Sequence, residues 1–285
     1  MADGSITTQI FGKTGRKVTI IGLGGEGVLR TFEKEDAATD LINEAVSQGI
    51  TYFDSARAYS GSEKYYGRIW SKHPEIRNRI FQTSKSAMRH KKNALADLDR
   101  TLANMGVDHL DLWQLHDIRT ENDIEVISGP GGALEAFIEA KASGKIRFIG
   151  VTGHHDPAVL TRAVKEWPVD SVLMPINPVE AVLGGFMDDT LQAAKEKGLA
   201  VIAMKVLGAS YYLSPEAGVT AQSLIRFALS QPVSLAIVGC SSPEEVKILA
   251  DAGRDFHPMA EEEQRQLMDL FQPHAERLAY YRGVI

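Results

Sequence analysis

Short apolar runs alternate along the chain with longer segments whose apolar residues recur at helical spacing. The runs end near Gly24, Asp54, Lys85, His116, Thr152, Ile176, Met204 and Val238. Helical patterning covers 36–48, 62–70, 91–105, 133–143, 157–167, 188–197, 220–230 and 243–250. Strand followed by helix, eight times over, predicts an α/β fold: a (β/α)8 TIM barrel of parallel strands inside a ring of helices. Ahead of it, 7–12 and 17–21 flank a turn at Lys13-Thr14-Gly15-Arg16, which predicts an N-terminal β-hairpin. An open doubly wound sheet fits less well, because Gly22-Leu23-Gly24-Gly25-Glu26-Gly27 does not open a helix; helical patterning begins only around Asp36. The connection 117–132, with Gly129-Pro130-Gly131-Gly132, reads as the longest irregular loop and as a candidate pocket wall. No linker or shift of composition divides the sequence, so residues 1–285 are expected to form a single domain.

Composition narrows the function. Across 285 residues, 44% hydrophobic and 24% charged content supports one sizeable core. A net charge of -6 supplies no basic field for a polyphosphate backbone, so no nucleic-acid partner is expected. No apolar run reaches membrane-spanning length and the first residues lack a secretory pattern, so no membrane contact and a cytoplasmic location are expected. Cys240 is the single cysteine, which excludes an intrachain disulfide and any metal site built from several thiolates. Redox chemistry would therefore need a cofactor held by other means.

The strand ends carry the candidate chemistry, because catalytic groups of a parallel barrel sit at its C-terminal rim. Asp54 closes the second strand, Tyr59 follows in the turn, Lys85 closes the third strand and His116 the fourth. Four different polar groups thus meet at one rim. A phenol is a weak acid near ~10, and an adjacent ammonium is expected to lower that value. Lys85 would supply the charge, Asp54 would hold Lys85, His116 would orient a carbonyl oxygen, and Tyr59 would protonate it.

At these residues the sequence resembles the aldo-keto reductase family. The resemblance rests on Phe53-Asp54-Ser55-Ala56-Arg57-Ala58-Tyr59 with Gly61-Ser62-Glu63, on Thr83-Ser84-Lys85, and on Asp111-Leu112-Trp113-Gln114-Leu115-His116. Gly12-Lys13-Thr14-Gly15, Ile149-Gly150-Val151-Thr152 and Val238-Gly239-Cys240-Ser241-Ser242-Pro243-Glu244 are similar to further family landmarks. It implies a nicotinamide-dependent enzyme reducing a small aldehyde or ketone, with Asp54, Tyr59, Lys85 and His116 as the catalytic set. The implied cofactor is NADPH, with NADH as the other choice, lying across the barrel mouth. It would border Thr152 and His154 after the fifth strand, Met204, Lys205, Leu207 and Gly208 after the seventh, and Cys240, Ser241, Ser242 and Glu245 after the eighth.

The sequence departs from the family pattern in several places. Thr152-Gly153 stands where many members carry Ser-Asn, Leu173 or Met174 replaces the usual glutamine of the sixth strand, and Met204 replaces the aromatic that stacks on nicotinamide. Glu245 takes the place of an arginine that grips the 2'-phosphate in members using NADPH. Gly25-Glu26 and Ser86-Ala87-Met88 stand where relatives carry large aromatics, so a hydroxylated or sugar-derived carbonyl is expected over a steroid. Two other readings remain open: a nicotinamide-binding regulatory or sensing barrel with little turnover, and a metal-dependent hydrolase using His154 and His155. Adjacent histidines in a strand-like segment point to opposite sides, so no metal site is expected there. Whether the tail 279–285 folds toward the mouth or packs outside, and whether the protein is a monomer or a homo-oligomer, is left open by these patterns.

Overall fold

In a computed structural model, which describes residues 4–283, eight parallel strands close into a barrel. A two-stranded antiparallel hairpin, β1 (Thr8–Ile10) and β2 (Lys17–Thr19), precedes it. The barrel strands are β3 (Ile21–Gly27), β4 (Tyr52–Phe53), β5 (Phe81–Ser86), β6 (Leu110–Leu115), β7 (Ile146–Thr152), β8 (Ser171–Pro175), β9 (Ala200–Met204) and β10 (Leu235–Cys240). They pair in chain order, and β10 closes the ring against β3. The (β/α)8 barrel and N-terminal hairpin expected from the alternating pattern are both present.

Residue alternation on each strand separates two packed layers. Tyr52, Phe81, Leu112, Leu173, Ile202, Leu235 and Ile237 fill the barrel interior, and Phe11 and Val18 of the hairpin join them as a plug at its N-terminal end. The hairpin sits close: a Cβ on Gly12, at φ +50°, would lie 2.3 Å from the Ala200 backbone nitrogen. The opposite side chains of the strands pack against the helices in the larger core. With the bottom plugged by apolar groups, the polar ends of β4, β5 and β6 are left at the other mouth.

Local deviations follow from short-range chemistry. The connection read as irregular contains a helix, Glu121–Ser128, started by a reciprocal cap in which the Thr120 side chain accepts from the Asp123 N–H and Asp123 returns the bond. Eight residues give too little periodicity to stand out in the sequence. The helix after β8 is preceded by an extra helix, Pro178–Leu183, and by one wide turn at Phe186–Thr190 leading into Leu191–Glu196. Beyond the last barrel helix, Pro243–Arg254, two more helices, Glu261–Phe271 and Ala275–Leu278, bring the tail back to the β7–β8 side of the mouth. There the Tyr281 hydroxyl donates to Glu180 at 2.7 Å and accepts from Asn177 at 3.1 Å. Of the two courses left open for the tail, the described part takes the one toward the mouth. Among the described residues no helix is long and apolar enough to cross a membrane.

Candidate active site

Strand β5 reads Phe81-Gln82-Thr83-Ser84-Lys85-Ser86 and is buried along its length despite its polarity. Its outward residues find partners on the helices: Gln82 accepts from the Trp70 indole at 2.8 Å, Ser84 donates to Glu63 at 2.9 Å and Ser86 donates to Asp97 at 2.8 Å. Its inward residues include Thr83 and Lys85, which point at Asp54. The Lys85 ammonium donates to Asp54 Oδ1 at 2.7 Å, to Oδ2 at 2.6 Å and to the Ser55 carbonyl at 2.8 Å. Thr83 donates to Asp54 Oδ1 at 3.0 Å. Both charges are buried, and pairing with full hydrogen bonding is what makes that tolerable.

Tyr59 sits over this pair on a fastened turn. Glu63, buried at the start of the next helix, accepts from Arg57 at 2.8 Å, Thr101 at 2.7 Å, Asn104 at 3.0 Å and Ser84, so the segment between Arg57 and Glu63 is tied at both ends. The Lys85 Nζ lies 4.7 Å from the centre of the Tyr59 ring, and the His116 ring stands edge-on to it at 5.7 Å. Arg30, from the connection after β3, covers the ring from 5.2 Å and is itself paired with Glu26 at 2.7 Å. Gly25 makes room for the phenol: a Cβ there would lie 2.5 Å from the Tyr59 ring. Asp54, Tyr59, Lys85 and His116 therefore share one pocket at the mouth, as their strand ends suggested.

The electrostatics differ from the sequence expectation in one respect. Burial, and then the Asp54 carboxylate, push the Tyr59 phenol well above its ordinary range instead of below it. Burial is the first cause, and Lys85 gives its three protons to Asp54 and the Ser55 carbonyl, so none is donated to the phenol oxygen. Burial, first, lowers Lys85 below the usual lysine range against the opposing pull of Asp54. His116 is pushed down to about 3 by burial and then by the charge of Lys85, which leaves it a neutral imidazole.

The residues expected around a cofactor divide into those that reach the mouth and those that do not. Met204, half-buried, packs on the inner barrel layer beside Leu173, so Leu173 and not Met174 is the inward residue of β8. Lys205 is half-buried in the left-handed backbone region at φ +55°, forms no ion pair among the described residues, and is lowered by burial. Leu207 packs on the outer core, and Gly208, at φ +53°, lies where a Cβ would meet the Tyr212 ring at 2.4 Å. Thr152 is occupied, since its hydroxyl accepts from the Asp117 N–H at 2.8 Å. Cys240 turns its thiol into the layer between sheet and helices, so only its backbone faces the connection; burial raises it to about 12. Ser242 caps Pro243–Arg254, while Glu245 accepts from the Ser241 N–H at 2.6 Å and so takes a donor that an anion would use.

The two histidines depart from expectation. His154 and His155 lie in a bend beyond the end of β7, where strand alternation no longer applies. Their rings are 4.3 Å apart, and both Nε2 atoms approach Asp117 Oδ1 at 3.3 Å. Sequence reasoning missed Asp117, Arg30 and Arg89. Arg89 donates to the His116 carbonyl at 2.8 Å, the Asp117 carbonyl at 2.7 Å and Asp123 at 2.8 Å, and so secures the His116 segment. Its only sequence signal is an arginine in the connection next to β5.

Residues 20–219 match the family model described as the aldo/keto reductase family, which is more than half of the chain. The chain belongs to the aldo/keto reductase family. It is 27% identical to the aldo-keto reductase str7 of Strobilurus tenacellus over 74% of this chain and 63% of that protein. It is 29% identical to the L-galactose dehydrogenase of Arabidopsis thaliana over 71% of this chain and 66% of that protein. The chain thus spans just under two thirds of the length of these curated relatives. An aldo-keto reductase from Klebsiella pneumoniae, solved in complex with NADPH, superposes with a TM-score of 0.77 at 23% identity, covering 94% of this chain and 95% of that one. For this aldo/keto reductase the superposition establishes the barrel, and the chemistry rests on its own residues.

Proposed function

We propose that this aldo/keto reductase reduces a small aldehyde or ketone to an alcohol with NADPH, or alternatively NADH, using Tyr59 as the general acid. One observation carries the reading: a fully bonded Lys85–Asp54 pair lies under a phenol whose ring also faces a neutral imidazole. Such a set suits polarising one carbonyl oxygen and delivering one proton to it.

Whether a dinucleotide suits the rim can be judged from the side chains there. Lys205 and Arg30 are cations at the mouth, with Lys205 unpaired among the described residues, and Gly208 supplies backbone without a Cβ. These residues suit a pyrophosphate. The start of Pro243–Arg254 suits an adenosine ribose better than a further phosphate, since Glu244 and Glu245 occupy its first turn. Lys205, Met204 and Gly208 would hold the cofactor beside Tyr59, with Ser242 and Glu245 at the adenosine end. When bound, a reduced nicotinamide supplies the hydride that the carbonyl carbon accepts.

The chain's own groups do the rest. The neutral His116 donates one N–H to the carbonyl oxygen and orients it. Negative charge grows on that oxygen during reduction, and Tyr59 passes its proton to it, because an alkoxide is a far stronger base than a phenolate. The resulting phenolate is met by Lys85 at 4.7 Å and Arg30 at 5.2 Å from the ring, and is reprotonated from solvent. The raised phenol keeps its proton at neutral pH, so the acid form is present when the oxygen becomes basic. The charged Glu26–Arg30 wall supports a hydroxylated carbonyl substrate over a steroid.

The test is stopped-flow oxidation of NADPH and of NADH against a panel of small hydroxylated aldehydes. Catalytic turnover of at least one pair is expected. Cofactor binding with no turnover on any carbonyl would favour the sensing barrel instead.

A further inference from the structure

Asp117 Oδ1, His154 Nε2 and His155 Nε2 face one another on the β7 side of the mouth with no hydrogen bond joining them. Asp117 Oδ1 lies 3.3 Å from His154 Nε2 and 3.3 Å from His155 Nε2, and the three lie within 4.8 Å of one another. Neither contact has hydrogen-bond geometry, and Asp117 Oδ1 and His155 Nε2 are buried atoms without a partner. His154 and Asp117 are oriented by other bonds. The His154 Nδ1–H donates to the Tyr281 carbonyl at 3.1 Å, which fixes the tautomer whose Nε2 lone pair faces Asp117. The other Asp117 oxygen accepts from Arg119 at 2.8 Å, and the Asp117 N–H donates to Thr152.

We propose that Asp117, His154 and His155 form a binding site for one divalent transition-metal ion of the zinc or cobalt type. Ligand bonds of ~2.0–2.1 Å in tetrahedral geometry put ligand atoms about 3.3 Å apart, which is the spacing of both His–Asp pairs. Two imidazoles and one carboxylate are the donor set of open zinc sites, which keep the fourth position for water or for an oxygen of another molecule. The Nδ1 bond of His154 to a backbone carbonyl is the outer contact that metal-ligating histidines use to fix ring and tautomer. The Tyr281 carbonyl couples the ion to the tail, so binding would brace the tail against the mouth.

This inference does not rest on the proposed reductase chemistry, and its test is independent of turnover. Full-length protein dialysed against chelator is titrated with Co2+ and followed by calorimetry and by visible d–d absorption. One Co2+ per chain is expected, with the intense absorption of a low-coordinate site, displaced by Zn2+. Asp117→Asn, His154→Ala and His155→Ala should each weaken binding by at least about tenfold. Thermal melts without metal check that each variant is folded, and His155→Gln serves where an alanine variant is not. Absence of saturable binding at submillimolar Co2+ would overturn the proposal. Binding that survives all the substitutions would equally overturn it, because the ion would then sit elsewhere.

Discussion

Lys85 has no proton left for the Tyr59 hydroxyl once Asp54 and the Ser55 carbonyl are served, and this shapes the expected pH behaviour. The phenol is raised and the ammonium is lowered, so on an alkaline titration Lys85 gives up its proton before Tyr59 does. Losing that charge removes the support of the nascent phenolate. The reduction rate should therefore fall as pH rises, with a midpoint below the ordinary lysine value of ~10.4. In Lys85→Arg, where the cation does not titrate, the fall should move to higher pH even if the maximal rate drops. A rate profile still rising at the midpoint expected for the wild type would count against this role for Lys85. The residues that meet here were legible as a set, because strand ends of a parallel barrel converge. The sign of the phenol shift was not, since it depends first on how deeply the folded mouth buries the ring.

Between strands and helices, the polar outward face of β5 decides how firmly the Tyr59 turn is held. Glu63 is a buried carboxylate serving Arg57, Ser84, Thr101 and Asn104, and removing it strands several donors at once. Glu63→Ala should destabilise the protein by about 3 kcal/mol in denaturant unfolding. A loss below about 1 kcal/mol would mean that water replaces the carboxylate, and the turn is then not fastened as described. All eight strands and the barrel helices were readable from periodicity, because each element presents one apolar face to a fixed layer. The helix Glu121–Ser128 and the bend at His154 were not readable. The first is set by one cap, the second by a change of backbone direction that leaves no mark on the apolar pattern.

Taken whole, the molecule is a plugged barrel whose open end is rimmed by charges of both signs, and under the proposed function their balance would set cofactor choice. Glu245 places a carboxylate at the start of Pro243–Arg254, where it accepts from the Ser241 N–H. Glu245→Gln should tighten NADPH on the order of tenfold with little effect on NADH, as measured by fluorescence titration, because only NADPH brings a second anion to that helix start. Equal change for both cofactors would place the adenosine elsewhere. The barrel, its hairpin and the rim residues on the strands were within reach of the sequence, but the plugging role of the hairpin and the returning tail were not. Tyr281 meets Glu180 and Asn177 from beyond two further helices, and no local pattern marks so distant a contact. The most direct measurement is single-turnover NADPH oxidation by a reducible aldehyde, comparing the wild type with Tyr59→Phe. Loss of the one transferable proton should leave the NADPH dissociation constant within about twofold and slow hydride transfer by ~10²–10⁴-fold. A Tyr59→Phe rate within a few fold of the wild type would contradict proton donation by this phenol.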